Sequence, residues 1–174
     1  MGSYRRGAQT CGDVPPPISV RLMTFQIDLM ITKPNATASN LMDLMHPLVD
    51  TLSKSSFLTH ALATSHSSDG SKWHGVSRLP NGGLHRRLDL LFVPWKERGA
   101  ALIYFTGNDI FNRSLRLLAS KKGMGLNQRG LWKDTMRGPG RVKITRGSLV
   151  ASESEEEIFG ILGVPWRPPH LRNC

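Results

Sequence analysis

Leu84-His85-Arg86-Arg87-Leu88-Asp89-Leu90-Leu91-Phe92-Val93-Pro94 has the two-residue period of a β-strand. Leu88, Leu90 and Phe92 point one way; Asp89, Leu91 and Val93 point the other. Pro94, with no N–H for a ladder, ends it. A carboxylate inside such a strand is costly unless a cation meets it. Downstream, Tyr104-Phe105-Thr106-Gly107-Asn108-Asp109-Ile110-Phe111-Asn112-Arg113-Ser114-Leu115-Arg116 reads as a strand end, a glycine turn and a helix start, the helix running over 107–120. Asn108 suits the N-cap and Asp109 the positive first turn. Asp109, Asn112 and Arg116 share one stripe, with Ile110, Phe111, Leu115 and Leu118 on the apolar side. A strand carboxylate followed by a helix that shows an acid, an amide and a guanidinium on one face points to a site for a metal-bound, anionic ligand.

Upstream, Ile27-Asp28-Leu29-Met30-Ile31-Thr32, closed by Lys33-Pro34, repeats the strand with one carboxylate. A single buried strand Asp is most often a paired structural residue. Two, on strands that can be neighbours, repel unless they share a divalent cation. Gly2-Ser3-Tyr4-Arg5-Arg6-Gly7 offers backbone N–H groups, a hydroxyl and guanidinium groups in a short turn. That is phosphate-binding chemistry, although such a turn by itself is usually only a turn. Residues 14–26 contain Pro15-Pro16-Pro17, which fits neither a central strand nor a helix interior. Residues 39–63 read as one packing helix with Leu41, Leu44, Met45, Leu48 and Leu52 on its apolar face, Pro47 as a kink and Ser39-Asn40 as its cap. A polar loop over 64–83 surrounds Lys72-Trp73-His74-Gly75-Val76, which reads as loop or as a short strand, and Trp73 reads as core. Residues 121–132 read as a basic hairpin with glycine turns, and Arg137-Gly138-Pro139-Gly140-Arg141 as a loop within 133–150. Ser152 and Glu155 form the capping-box pattern for a last helix over 153–162, which Gly163 stops.

The chain has 174 residues, enough for one domain or a domain with a small subdomain, and a net charge of +10. The charge is segregated. Residues 84–146 hold fourteen Lys and Arg against four Asp and Glu, and the remainder holds nine of each. Such a segment suits a polyanion, nucleic acid before an anionic membrane; the bland alternative is a solvated basic face. Cys11 and Cys174 make no framework, and the six histidines show no ligand spacing, so neither a disulfide scaffold nor a zinc site is expected. No apolar run approaches bilayer length and the first residues lack a signal core, so a soluble, intracellular protein is expected.

In combination, these segments resemble a family. Gly2-Ser3-Tyr4-Arg5-Arg6-Gly7, Gly12-Asp13, Asp28-Leu29-Met30-Ile31-Thr32, His85-Arg86-Arg87-Leu88-Asp89, Tyr104-Phe105-Thr106-Gly107, Phe111 to Arg116 and Leu162-Gly163-Val164-Pro165-Trp166-Arg167 stand in the order of the family X DNA polymerases, on its lambda- and beta-like branch. The resemblance implies an α+β fold: a nucleotidyltransferase-like palm over 1–106, its sheet packed by helices, and a small basic α/β nucleotide-selecting, thumb-type subdomain over 107–174. It implies DNA-directed DNA synthesis by two Mg²⁺ ions, with Mn²⁺ as an alternative, held by Asp13, Asp28 and Asp89. Ser3, Arg6 and Gly12 would take the dNTP phosphates. Tyr104, Phe105 and Gly107 would take its sugar, and Asp109 and Asn112 the base edge. Arg87, Arg116, Lys121 and Lys122 would face DNA. The implied partners are dNTP and gapped or broken duplex DNA in the nucleus, with no membrane, and repair proteins met through N-terminal domains outside this chain. The implied roles are gap filling in base excision repair and end joining. One departure bears on the site. The family motif is Gly-Asp-x-Asp, whereas fourteen residues separate Asp13 from Asp28. Removing 14–26 leaves Gly12-Asp13-Ile27-Asp28, so 14–26 is expected to be a non-native insertion loop. The alternatives are a DNA-binding chain that keeps the fold without catalysis, and a nucleotidyltransferase acting on something other than DNA.

Overall fold

The computed structural model describes residues 2–8, 26–65, 72–134, 145 and 147–173. Cys11, Gly12, Asp13, residues 14–25, the Arg137–Arg141 loop and Cys174 lie outside the described residues. The fold is α+β, in two compact units: Ala8–Pro94, and Trp95–Cys174 together with Gly2–Gly7.

The first unit is a four-stranded sheet with one helix on it. Its strands are β1 (Gln26–Ile31), β2 (Leu58–Ser65), β3 (Lys72–Ser77) and β4 (Arg86–Phe92), in the order β1-β4-β3-β2. β1 and β4 are parallel; β4, β3 and β2 are antiparallel neighbours. As the two-residue period predicts, Leu88, Leu90 and Phe92 share one face. They form a core with Trp73, Leu58, Ala36 and the apolar side of α1 (Ala38–Lys54), where Leu41 and Met45 are buried. Gly75 has a packing reason: a Cβ there would overlap the Trp73 ring.

The expected helix over 39–63 is shorter. Thr37, rather than Ser39 or Asn40, caps it, in a reciprocal box with Asn40, and it ends at Lys54. Ser56 then takes φ 59°, which no helix continues through, and Leu58–Ser65 is a strand. Leu58 and Leu62 are four residues apart and so imitate the helical period.

The second unit contains α2 (Arg98–Thr106), α3 (Asp109–Lys121), a sheet of β5 (Met124–Asn127), β6 (Gly130–Lys133) and β7 (Ser148–Ala151), and α4 (Glu155–Ile161). Its core joins Ala100, Ile103, Phe111, Leu115, Ala119, Leu126, Leu131, Ala151, Ile158, Phe159 and Leu162. The β5–β6 hairpin and the Asn108 cap of α3, which accepts the Phe111 N–H at 2.9 Å, are as expected. Ile110 is exposed, not part of the apolar side.

Three expectations change here. Residues 104–106 are the end of α2, not of a strand: Ala100, Ala101, Ile103 and Thr106 turn inward, and Gly107 at φ 70° closes the helix. α2 packs on α4, β5 and β6, so the compact units part at Pro94/Trp95 rather than at 106/107, and residues 2–7 go with the second unit instead of the first. The last helix is capped by Ser154, whose hydroxyl accepts the Glu157 N–H at 3.3 Å, while Ser152 donates to the Lys96 carbonyl at 2.6 Å. Glu155 is occupied elsewhere, as shown below.

α2 lies close against the 153–154 backbone, and a Cβ on Gly99 would come within 2.6 Å of three of its atoms. Backbone cannot swing aside as a side chain can. Gly99→Ala is therefore expected to destabilise this unit by about 1–3 kcal/mol in a urea melt; an unchanged midpoint would refute the close fit.

Candidate active site

In β1 and β4 the Cα register pairs Asp28 with Asp89, and in β3 it pairs Asp89 with His74. One row across the sheet therefore reads Asp28, Asp89, His74, on the face turned away from α1. Adjacent strands lie about 4.8 Å apart, so two like charges face each other at short range. Asp89 is 4% exposed. Three groups meet it. Arg87 donates from Nε to Oδ1 and from a terminal nitrogen to Oδ2, each at 3.1 Å. His74 Nδ1 lies 2.9 Å from Oδ2. Gln26 Nε2 donates to Asp89 Oδ2 at 2.7 Å and to Asp28 Oδ1 at 2.8 Å. The hydrogen bond to Asp89, and then its charge, hold the Arg87 guanidinium above its ordinary pKa.

This geometry tests whether a divalent ion fits. One oxygen from each carboxylate lies within hydrogen-bond distance of the same amide nitrogen, so the two converge on one point. Hard cations such as Mg²⁺ take oxygen ligands of this kind. The Asp28–Asp89 pair thus fits one ion. Among the described residues no group of three or more His, Cys, Asp and Glu is placed to hold a metal; Asp13 lies outside them.

In the second unit the Gly2–Gly7 turn is fastened beside the end of α2. Gly2 N–H donates to the Phe105 carbonyl at 2.9 Å. Arg6 donates to the Thr106 carbonyl and, through Nε, to Asn173 Oδ1 at 2.7 Å. A Cβ on Gly107 would stand 3.3 Å from Arg6, so glycine leaves that space open. The turn that contains Ser3 is thereby tied to the Phe105 and Thr106 carbonyls, with Arg6 beside Gly107. Asn112 Nδ2 donates to the Tyr104 carbonyl at 2.7 Å, while its Oδ1 is buried without a partner among the described residues. Tyr104, Asn112 and Arg116 line one small cleft with Leu126 and Asn127. Asp109 stands apart from that cleft, in an exposed pair with Arg113 at 2.8 Å. Lys121 and Lys122 are exposed at the end of α3.

What holds this turn is a cluster that sequence reasoning missed. Glu155 accepts two bonds from Arg5, at 2.9 and 3.0 Å, and two from Arg172, at 2.9 and 3.2 Å. Arg172 is 0% exposed and also donates to the Arg167 carbonyl at 2.7 Å. Burial alone would raise the Glu155 pKa, but the hydrogen bonds and charges of Arg5 and Arg172 outweigh it and bring the carboxyl below its usual value. Gln26 was missed as well, although its place two residues before Asp28 puts it on the same strand face.

Comparison with known proteins divides the chain at nearly the same point, with residues 2–7 on the other side of the division. Residues 1–95 match the DNA polymerase beta palm, and residues 101–173 the DNA polymerase beta thumb. The chain is 38% identical over 174 residues to DNA polymerase lambda of Rattus norvegicus, covering 99% of this chain and 28% of that protein. It is 33% identical over 178 residues to DNA polymerase lambda of Arabidopsis thaliana, covering 99% of this chain and 31% of that one. DNA polymerase IV of Saccharomyces cerevisiae is 34% identical over 93 residues, covering 53% of this chain and 14% of that protein. The chain belongs to the family X DNA polymerases. It spans less than a third of the length of the two lambda polymerases.

Proposed function

We propose that the chain supplies the palm and nucleotide-selecting parts of a DNA-directed DNA polymerase. The in-register Asp28–Asp89 pair carries this reading, because facing carboxylates repel unless a positive group joins them, and a divalent cation joins them most strongly. In the reaction, a primer 3′-hydroxyl loses its proton to water and its oxygen bonds to the α-phosphorus of a dNTP, the bond from that phosphorus to the bridging oxygen breaks, and pyrophosphate leaves. Mg²⁺ or Mn²⁺ held by Asp28 and Asp89, with Asp13 as the further ligand the family pattern implies, would stabilise charge on the attacking and leaving oxygens. Arg6 would take phosphate oxygens, its guanidinium oriented beforehand by Asn173 and the Thr106 carbonyl. Ser3 and Gly12 would add donors to the same phosphates. Tyr104, Phe105 and Gly107 would take the sugar, and Asp109 and Asn112 the base edge. Arg116, Lys121 and Lys122 would take DNA phosphates, and Arg87 would do so once released from Asp89. The substrates would be gapped or broken duplex DNA and dNTP. The setting would be nuclear short-gap filling in base excision repair and end joining, with repair proteins engaged through domains outside this chain.

A second reading has its own observation. Gln26 bridges both carboxylates and Arg87 also holds Asp89, which on this reading makes the chain that carries 14–26 a DNA-binding protein that transfers no nucleotides. The test is insertion on a one-nucleotide-gapped, 5′-phosphorylated DNA with Mg²⁺. The samples are the chain, the chain lacking 14–26, and each with Asp89→Ala. Insertion by the shortened chain that vanishes with Asp89→Ala is the expected result. Salt-sensitive DNA binding with no insertion by any of the four would establish the second reading.

A further inference from the structure

Gln26 is the last residue of the proline-rich stretch, yet it is not loop. It opens β1, pairs with Arg87 across the sheet, and shares the face of Asp28. Its amide nitrogen stands 2.8 Å from one carboxylate and 2.7 Å from the other. That is the point at which a cation joining the two would sit. We propose that the Gln26 amide is a built-in stand-in for the divalent cation, so that Gln26, beside the Arg87 guanidinium that also holds Asp89, limits how tightly Asp28 and Asp89 bind metal.

An N–H₂ group carries partial positive charge and two donors, so it satisfies both facing oxygens without a full charge. A cation entering between them must displace it, and so loses two hydrogen bonds that a bare pair of carboxylates would not hold. A carboxylate in the Gln26 slot would have the opposite effect: it would add a third anionic oxygen donor on the same face and raise cation affinity, since ligand charge tunes such sites. Two sequence changes put a carboxylate there by independent routes. Gln26→Asp does so directly. Deleting 14–26 joins Asp13 to Ile27 and places Asp13 two residues before Asp28, in the slot of Gln26.

The inference rests on the metal-binding reading of Asp28 and Asp89, and the experiment separates the two. Mn²⁺ binding to the full 174-residue chain is measured by electron paramagnetic resonance of the free ion, without DNA or nucleotide. Gln26→Ala is expected to bind Mn²⁺ severalfold more tightly than the parent, and Gln26→Asp and the 14–26 deletion at least tenfold more tightly. Adding Asp89→Ala is expected to abolish each gain. Gln26 is exposed at the start of β1, so the point variants are expected to keep the parent's circular dichroism. If binding depends on Asp89 but is unchanged or weakened by Gln26→Ala, the stand-in role is overturned while the metal reading survives. If no variant, Gln26→Asp included, binds Mn²⁺ in a way that needs Asp89, both are overturned.

Discussion

Arg172→Met is expected to destabilise the second unit by about 3–5 kcal/mol, the usual effect of breaking a buried ion pair by removing one partner. Whole domains are stable by only about 5–15 kcal/mol, so this loss is a large fraction. The reason is what remains behind. Glu155 keeps Arg5 but loses two bonds from a fully buried guanidinium, and the methionine leaves the Arg167 carbonyl without its donor. Arg172 also lies over the Phe111 and Phe159 rings at 5.5 and 5.4 Å, contacts a thioether replaces only in part. Pairing Arg172→Met with Glu155→Gln is expected to cost less than the two singles added together, because the buried anion disappears with its partner. Calorimetric melting of the three variants measures this; a loss below about 1 kcal/mol for Arg172→Met would refute the role given to the cluster. The same carboxylate sets an acid limit. Its pKa is lower folded than unfolded, so its contribution is complete above the unfolded value of about 4.3 and is lost as pH falls through the folded one. Melting temperatures are expected to hold near neutrality and drop below about pH 4, with a smaller acid drop in Glu155→Gln.

The second large effect falls on chemistry and leaves the fold in place. In the chain lacking 14–26, Asp89→Ala is expected to lower Mg²⁺-dependent insertion by about 10³-fold or more. Metal stabilisation of a phosphoryl oxygen is worth several kcal/mol, and each 1.36 kcal/mol is a factor of ten. Stability is expected to change by no more than about 1 kcal/mol, because the Arg87 side chain is half-exposed and takes water when its partner goes. Insertion rate and urea midpoint, measured on one preparation, separate the two. A variant that loses both would make Asp89 a structural residue.

The part of the site legible in the sequence is the part that depends on local period. Asp28 and Asp89 sit in matching strand contexts, and the structure sets them side by side in register. Asn108 showed its capping role because a cap acts within three residues of itself. Where local signals compete, tertiary packing decided. Leu58 and Leu62 carry a helical spacing in a strand, and Tyr104-Phe105 looks extended by composition yet completes α2. Ser152 and Ser154 both precede an apolar run with Glu three residues on, and only Ser154 caps, because Ser152 is taken by Lys96 and Glu155 by two arginines. Arg5, Glu155 and Arg172 could not be found from spacing, since no period connects residues that far apart.

That last separation bears on how the protein is made. The turn carrying Ser3 and Arg6 is translated well before Thr106 and Glu155, which hold its Arg5, and before Arg172, which grips Glu155 from the other side. Contacts between distant residues come at an entropic cost that local ones avoid, and they slow folding. The Gly2–Gly7 turn is therefore made well before its partners and is among the last segments to be fixed. During translation Arg5 waits for Glu155 and Arg6 for Asn173, and until those are made both are open to any acidic surface nearby.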